Sequence, residues 1–200
     1  MGKKLNTHNH FLKNIVNNEL AATILDLKKG KIILYPTDTV WGLGCDATNK
    51  EAVSKIYQLK NREENKSLVI LVNSVEMLRN YVEEVPDKVL EIIKNTIQPT
   101  TIIYNNAKNL ANNTIAADGS IAIRIPEDAF CLDLIEKLGK PIVSTSANRS
   151  GEETPKSFSE ISQSVLEGVD YIVNLNRDKI TNKSSTILKI NEGEIEVIRA

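Results

Sequence analysis

Short apolar runs alternate with stretches of helical period along this chain, and that alternation limits the fold more than any other feature. Ile32-Ile33-Leu34 (within a strand from Lys31 to Tyr35), Leu68 to Val72, Thr100 to Tyr104, Ser120 to Ile125 and Pro141-Ile142-Val143 all have strand length. Between them the apolar period changes to that of a helix. Leu20, Ala21, Ile24 and Leu27 form one such face, with Gly30 as its C-terminal stop. Asn49 is placed to cap a second helix, whose inner face is Ala52, Val53, Ile56 and Leu59. Ser74 can cap a short helix to about Tyr81, and Pro86 suits the first position of another, with Val89, Leu90, Ile92 and Ile93 inward. Asp128 to Leu138 is helical and stops at Gly139, and Phe158 to Leu166 is a weaker helix. Tyr171 to Leu175, Ser185 to Ile190 and Glu194 to Ile198 read as the last strands. The final two are joined by the hairpin-like turn Asn191-Glu192-Gly193. The expected class is α/β (α+β in some schemes), with helices covering a sheet that the tight turn makes mixed. The 200 residues fit one domain, 1–200, of which polar, Asn-rich 1–17 are either a loose arm or the start of the first helix.

Composition removes several classes of function. The formal net charge is −1, so no global field draws the chain to nucleic acid or a membrane, and any anion site must come from local clustering. No apolar stretch approaches 18 residues, and no signal-peptide core follows Lys3 and Lys4, so a cytoplasmic protein is expected. Cys45 and Cys131 lie far apart and read as buried thiols. His8 and His10, the only histidines, have no third ligand nearby and support neither a metal site nor a Ser-His-Asp triad.

Three loops could carry chemistry. The first is Tyr35-Pro36-Thr37-Asp38-Thr39-Val40-Trp41-Gly42-Leu43-Gly44, where a strand runs out into hydroxyls and glycines that permit close approach. The second holds Lys60, Arg62 and Lys66. The third, Ser144 to Gly151, is rich in hydroxyls and carries Asn148. Arg124 and Arg199 sit at strand ends. Hydroxyls, glycines and cations together suit a phosphate-bearing ligand. Each loop also has a plainer explanation, as a solvated helix end or a turn. There is no Walker A pattern, and Gly42-x-Gly44 lacks the third glycine of a dinucleotide fingerprint. The residues by themselves specify an α/β protein with an anion-binding pocket.

Six motifs in order resemble the YrdC-like family. The opening stretch matches its Y-P-T-D/E-T-V-Y/W-G-L-G signature, and Lys60-x-Arg62 its K-x-R. Ile123-Arg124-Ile125-Pro126 matches a V/I-R-V/I-P strand end, and Ser146-Ala147-Asn148-x-Ser150-Gly151 an S-A-N-x-S-G loop. Ser185-Thr186-Ile187 and Val197-Ile198-Arg199 match its late S-T-V/I and V-I/L-R. The resemblance implies a twisted mixed sheet with helices on both faces and a concave basic cavity. It also implies the TsaC-type activity, in which L-threonine, bicarbonate and ATP give threonylcarbamoyl-AMP and pyrophosphate for modification of adenosine 37 in transfer RNA. It places Lys60, Arg62, Ser146 and Asn148 around the nucleotide phosphates as the catalytic constellation. Lys66, Ser120, Thr154 and Arg199 are further ATP contacts, and Thr39, Arg124, Ser144 and Ser185 are the threonine site. Mg²⁺ is expected to be carried on the ATP phosphates rather than in a protein cage. Transfer RNA or double-stranded RNA and a threonylcarbamoyl-transferase complex are the implied partners, with no membrane.

The chain departs from the family pattern at Ser67, where proline is usual, and at Gln98-Pro99-Thr100-Thr101, which shortens P-G-P-x-T. It ends at Ala200 without the extra domain of longer members, so a lid is expected from the N-terminal arm. Hydrogenase-maturation carbamoyltransferases and a riboflavin-pathway synthase share related folds. The former carry zinc-finger and acylphosphatase-like parts, and the latter an acidic metal motif, that are not evident here. An alternative of another class is an RNA-binding or ribosome-maturation module using the same cavity. It would call for a continuous basic surface with stacking aromatics, whereas aromatics make up 4% of this chain.

Overall fold

The computed structural model describes residues 2–64, 68–181, 183–191 and 193–200. The first helix, α1 (Gly2–Lys28), begins well before Asn18, so the N-terminal segment is helix rather than arm. Strands β1 (Ile33–Tyr35) and β2 (Gly42–Gly44) flank the Thr37–Thr39 turn. Next come α2 (Lys50–Lys60), β3 (Val69–Leu71), the short α3 (Val75–Leu78), α4 (Asp87–Asn95) and β4 (Thr100–Tyr104). Then follow β5 (Ile121–Arg124), α5 (Ala129–Leu138), β6 (Ile142–Val143) and β7 (Thr145–Ser146). The chain closes with α6 (Gln163–Leu166), β8 (Tyr171–Ile172) and the hairpin strands β9 (Thr186–Asn191) and β10 (Glu194–Arg199).

Helix starts follow local chemistry. Asn49 Oδ1 accepts from the Ala52 N–H at 3.0 Å, Ser74 Oγ from Met77 at 3.1 Å and Asp128 Oδ1 from Cys131 at 3.0 Å. Gly139 ends α5 with φ +72°, a conformation natural to glycine. Two expectations change. Pro86 precedes α4 as its cap instead of occupying its first turn. The helix expected over Phe158 to Leu166 is split into a 3₁₀ turn at Phe158–Glu160 and α6, with extended Ile161 and Ser162 between them.

The strands form two mixed sheets rather than one. The order β7-β2-β1-β8 makes a four-stranded sheet, and β10-β9-β4-β5-β3-β6 a six-stranded one. The hairpin β9–β10 is antiparallel, while β4–β9 and β3–β5 are parallel. Period-2 alternation splits the core between the two faces. Ile33, Tyr35, Leu71 and Ile142 pack with Leu20 and Leu27 of α1 and Leu134 and Ile135 of α5. Leu34, Leu43, Ile70, Ile102 and Ile123 pack on the other face with Val53 and Ile56 of α2 and Val89 of α4. Helices on both faces are thus a consequence of strands that are apolar on both sides. The two sheets meet at Ser144, the single residue between β6 and β7. Its N–H donates to Val69 O at 2.8 Å. Cys45 and Cys131 are buried free thiols, as expected, and burial raises both pKa values. Among the described residues no helix is long and apolar enough to cross a membrane.

Candidate functional site

A cavity of about 400 Å³ opens where the two sheets meet. One wall is the Thr37–Gly44 segment. Thr37 Oγ1 donates to Val40 O at 2.8 Å and accepts from the Thr39 N–H at 3.0 Å, closing a tight local turn. The turn aims Thr39 into the cavity with its hydroxyl 3.0 Å from that of Thr37. The segment then re-enters the sheet. Gly42 pairs with Ser146 and Leu43 with Thr145, so the third loop is partly a strand added to the first. This alters the reading of the glycines. A Cβ on Gly44 would stand 2.7 Å from Tyr35 Cε1 and 2.9 Å from Val143 O. Gly44 therefore admits the chain's own ring and backbone rather than a ligand.

Arg124, at the end of β5, lines the same cavity and is 4% exposed. Its Nη1 donates to Asp38 Oδ1 at 2.6 Å, and its Nη2 lies 3.4 Å from Thr39 Oγ1. Asp38 Oδ2 also accepts from the Glu127 N–H at 3.2 Å. A buried guanidinium needs a counter-charge, and Asp38 supplies it from the opening motif. The Nη2 edge is left toward the hydroxyls.

The second loop is built differently from the constellation the resemblance implies. Lys60 ends α2, is 3% exposed and stands outside the cavity lining. Its ammonium donates to Ser146 O at 2.5 Å and Asn148 O at 2.6 Å, while its own carbonyl accepts from Ser150 N–H at 2.8 Å. Lys60 therefore laces the third loop onto α2 from behind. Burial, then the nearby Arg62, lowers its pKa to about 8. Asn148 Nδ2 donates to Arg149 O at 3.1 Å and Glu152 O at 2.8 Å, holding the loop in shape. Its buried Oδ1 has no partner among the described residues, and an acceptor there is the wrong polarity for a phosphate oxygen. Arg62 and Ser146 do line the cavity.

Ser144, Thr154, Ser185 and Arg199 complete the set of expected residues that reach the cavity. Arg199 Nη2 donates to Ser185 O at 2.7 Å, and Ser185 Oγ accepts from Thr101 Oγ1 at 2.8 Å. Ser120 stands apart at the start of β5, with its hydroxyl donating to Asp118 Oδ1 at 2.6 Å. Lys66 lies outside the described residues. The expected N-terminal lid is not found, because α1 packs on α5 and contributes no described residue to the cavity. Sequence reasoning missed Asp38 as the partner of Arg124. It also missed Thr101, Lys156 and Lys183, which line the cavity. Thr101 could have been found, since it is a hydroxyl residue directly before the apolar pair Ile102-Ile103 of β4, and it is fully buried. The two lysines carried no motif signal.

The Sua5/YciO/YrdC family model, described as telomere recombination, matches residues 26–200. The chain belongs to this family. A family relative from Methanocaldococcus jannaschii is 36% identical over 92% of this chain and 88% of its own length. The threonylcarbamoyl-AMP synthase of Pseudoalteromonas translucida is 35% identical over 77% of this chain and 84% of its own. Among solved structures, Pyrococcus abyssi Sua5 complexed with L-threonine superposes with a TM-score of 0.82 at 26% identity. That match covers 90% of this chain and 53% of the other, so the chain spans about half of that longer protein. Full-length HypF in a phosphate- and nucleotide-bound form gives 0.78 at 25% identity, covering 90% of this chain and 28% of that one. The family fold is thus shared by proteins of quite different length.

Proposed function

We propose that this chain is a threonylcarbamoyl-AMP synthase. The observation that carries the reading is the charge of the cavity. Arg62, Arg124, Lys156, Lys183 and Arg199 line it, no described carboxylate does, and the whole chain has a net charge of −1. A cationic pocket of this kind, walled by hydroxyls, suits an anionic nucleotide together with a small carboxylate. The threonine-bound neighbour and the relatives named threonylcarbamoyl-AMP synthases support reading these ligands as threonine and a nucleotide.

In this reading the threonine carboxylate meets Arg124 Nη2, and its hydroxyl and amine lie among Thr39, Ser144 and Ser185. The amine attacks the carbon of bicarbonate and water leaves, giving a carbamate. A carbamate oxygen then attacks the α-phosphorus of ATP. The bond from that phosphorus to the bridging oxygen breaks, and pyrophosphate departs with the electron pair. No enzyme nucleophile is needed, so the work falls to positioning and to charge set in place beforehand. Arg62 and the Ser146 hydroxyl are assigned to the α-phosphate, Thr154 and Arg199 to the nucleotide. Lys60 and Asn148 act by holding the loop that presents Ser146. The cavity's hydroxyl and cation donors fit a Mg²⁺ carried on the phosphates better than one caged by the protein. That ion would neutralise phosphate charge. The adenylate is unstable in water, so hand-over to a transferase acting on transfer RNA is the expected next step. The alternative of an RNA-binding module fits less well, because Trp41, the aromatic in the lining, is 2% exposed and offers no stacking face.

The test is pyrophosphate release by purified protein given threonine, bicarbonate, Mg²⁺ and ATP, with the adenylate identified by mass. Release that does not depend on threonine would overturn the assignment. Arg62→Ala should abolish turnover in a protein that still melts cooperatively.

A further inference from the structure

The cations of the cavity are not equivalent. Arg124 is bound to Asp38, and Arg199 to the carbonyl of Ser185. Lys156 and Lys183 are exposed, and their ammonium groups have no hydrogen-bond or ion-pair partner among the described residues. Their backbones, by contrast, are fixed. The Lys156 N–H donates to Glu160 Oε2 at 2.8 Å, and its carbonyl accepts from the Thr181 N–H at 2.8 Å. The Lys183 N–H donates to Thr181 Oγ1 at 3.3 Å. Thr181 thus ties two loops, distant in sequence, side by side at the rim. The Glu160 carboxylate accepts from the Lys156 backbone N–H and makes no ion pair with its ammonium. Two lysines held at their main chains, aimed at one cavity and left without counter-charges, form a receptor for a mobile and highly charged anion.

We infer that Lys156 and Lys183 bind the β- and γ-phosphates of the nucleotide and then the pyrophosphate that leaves. The inference rests on the reaction proposed above and deepens it. The Arg124 end is occupied by the amino acid, and Arg62 with Ser146 faces the α-phosphate. The two exposed lysines lining the same cavity are left for the rest of the triphosphate. When the α-phosphorus to bridging-oxygen bond breaks, the electron pair collects on the departing pyrophosphate. The ammonium groups meet that charge without transferring a proton. Flexible four-carbon stems suit a group that must be released into solvent, in contrast to the locked guanidinium at the other end.

The test compares wild type with a Lys156→Ala/Lys183→Ala double variant, both residues being exposed and outside the core. Inorganic pyrophosphate binding is measured by calorimetry, and the KM for ATP and for threonine by turnover. Pyrophosphate affinity should fall about tenfold or more, and the KM for ATP should rise to a similar degree. AMP affinity and the KM for threonine should stay within about twofold of wild type, and Lys→Arg at both sites should restore pyrophosphate binding. Unchanged pyrophosphate affinity in the double variant would overturn the inference. So would an equal loss for AMP and pyrophosphate, which would mark a general field. A wild-type protein that binds pyrophosphate through these lysines but makes no adenylate would uphold the site and overturn the reaction assigned to it.

Discussion

At one end of the cavity Arg124 is 4% exposed and already joined to Asp38; at the other, Lys156 and Lys183 stand in solvent with no side-chain partner among the described residues. Both ends present positive charge, yet the physical situations are opposed. Burying a guanidinium costs several kcal/mol unless its charge and donors are met, so Asp38 and Thr39 fix its direction before any ligand arrives. An exposed ammonium carries little such cost and keeps its freedom. The buried end can therefore discriminate a small ligand by geometry. The rim can only sense charge, and it can release what it holds. That division suits a reaction in which one substrate is a small amino acid and one product is a polyphosphate.

The largest effect should come from breaking the buried pair. Arg124→Ala leaves Asp38, whose side chain is 10% exposed, with the Glu127 N–H as its remaining partner among the described residues. We expect a loss of about 3 kcal/mol in chemical denaturation, together with loss of detectable threonine binding. Replacing both members, Asp38→Asn with Arg124→Met, removes the unpaired charge. Stability should largely return while threonine binding does not. If threonine affinity came back with stability, the buried end would be structural and the contrast between the two ends would fail.

An intermediate effect is expected at Lys60, which is buried like Arg124 but acts through a loop. Its pKa is lowered to about 8 from the usual 10.5, first by burial and then by Arg62. Below about 8 the folded protein holds the charged ammonium on Ser146 O and Asn148 O. Above it the bridge loses its charge, and kcat/KM for ATP should fall through an apparent pKa near 8. Stability moves the other way. Between about 8 and 10.5 the unfolded chain binds a proton that the folded chain does not, so this group makes the fold more stable as pH rises. Lys60→Met should lower kcat about tenfold through misplacement of Ser146, and both pH effects should vanish from the difference between variant and wild type. An alkaline limb that persists in the variant would place the titrating group elsewhere.

Much of the fold was legible because helix caps and apolar alternation act over a few residues. Asn49, Ser74, Asp128 and Gly139 mark their helix ends by chemistry within one turn. The division into two sheets was not legible. It depends on Ser144 binding Val69 and on β7 pairing with β2, contacts between residues far apart in the chain. The site divides along the same line. Arg62, Ser146, Thr39 and Arg124 belong to recognisable motifs and do converge on the cavity. Lys60 belongs to a motif too, but whether an ammonium faces a ligand or a carbonyl is decided by three-dimensional packing. Lys156 and Lys183 have no local signature, since their loops are brought together by long-range contacts such as the Thr181 N–H on Lys156 O and Arg177 over the Phe158 ring.

The smallest effect, and the one that bears most directly on the contrast, is that of salt. Screening acts strongly on charges in solvent and weakly on those enclosed by protein; the Debye length falls from about 10 Å at 0.1 M salt to about 3 Å at 1 M. Raising potassium chloride from 0.1 to 0.5 M should therefore weaken pyrophosphate binding several-fold, through Lys156 and Lys183. Threonine binding at the enclosed Arg124 should change by less than about twofold, because Asp38 and Thr39 already hold that guanidinium out of solvent. The Lys156→Ala/Lys183→Ala variant should show a flatter salt response for pyrophosphate and an unaltered one for threonine. Equal salt sensitivity for both ligands would mean that one diffuse field serves the whole cavity, and the two ends would then differ in exposure but not in kind.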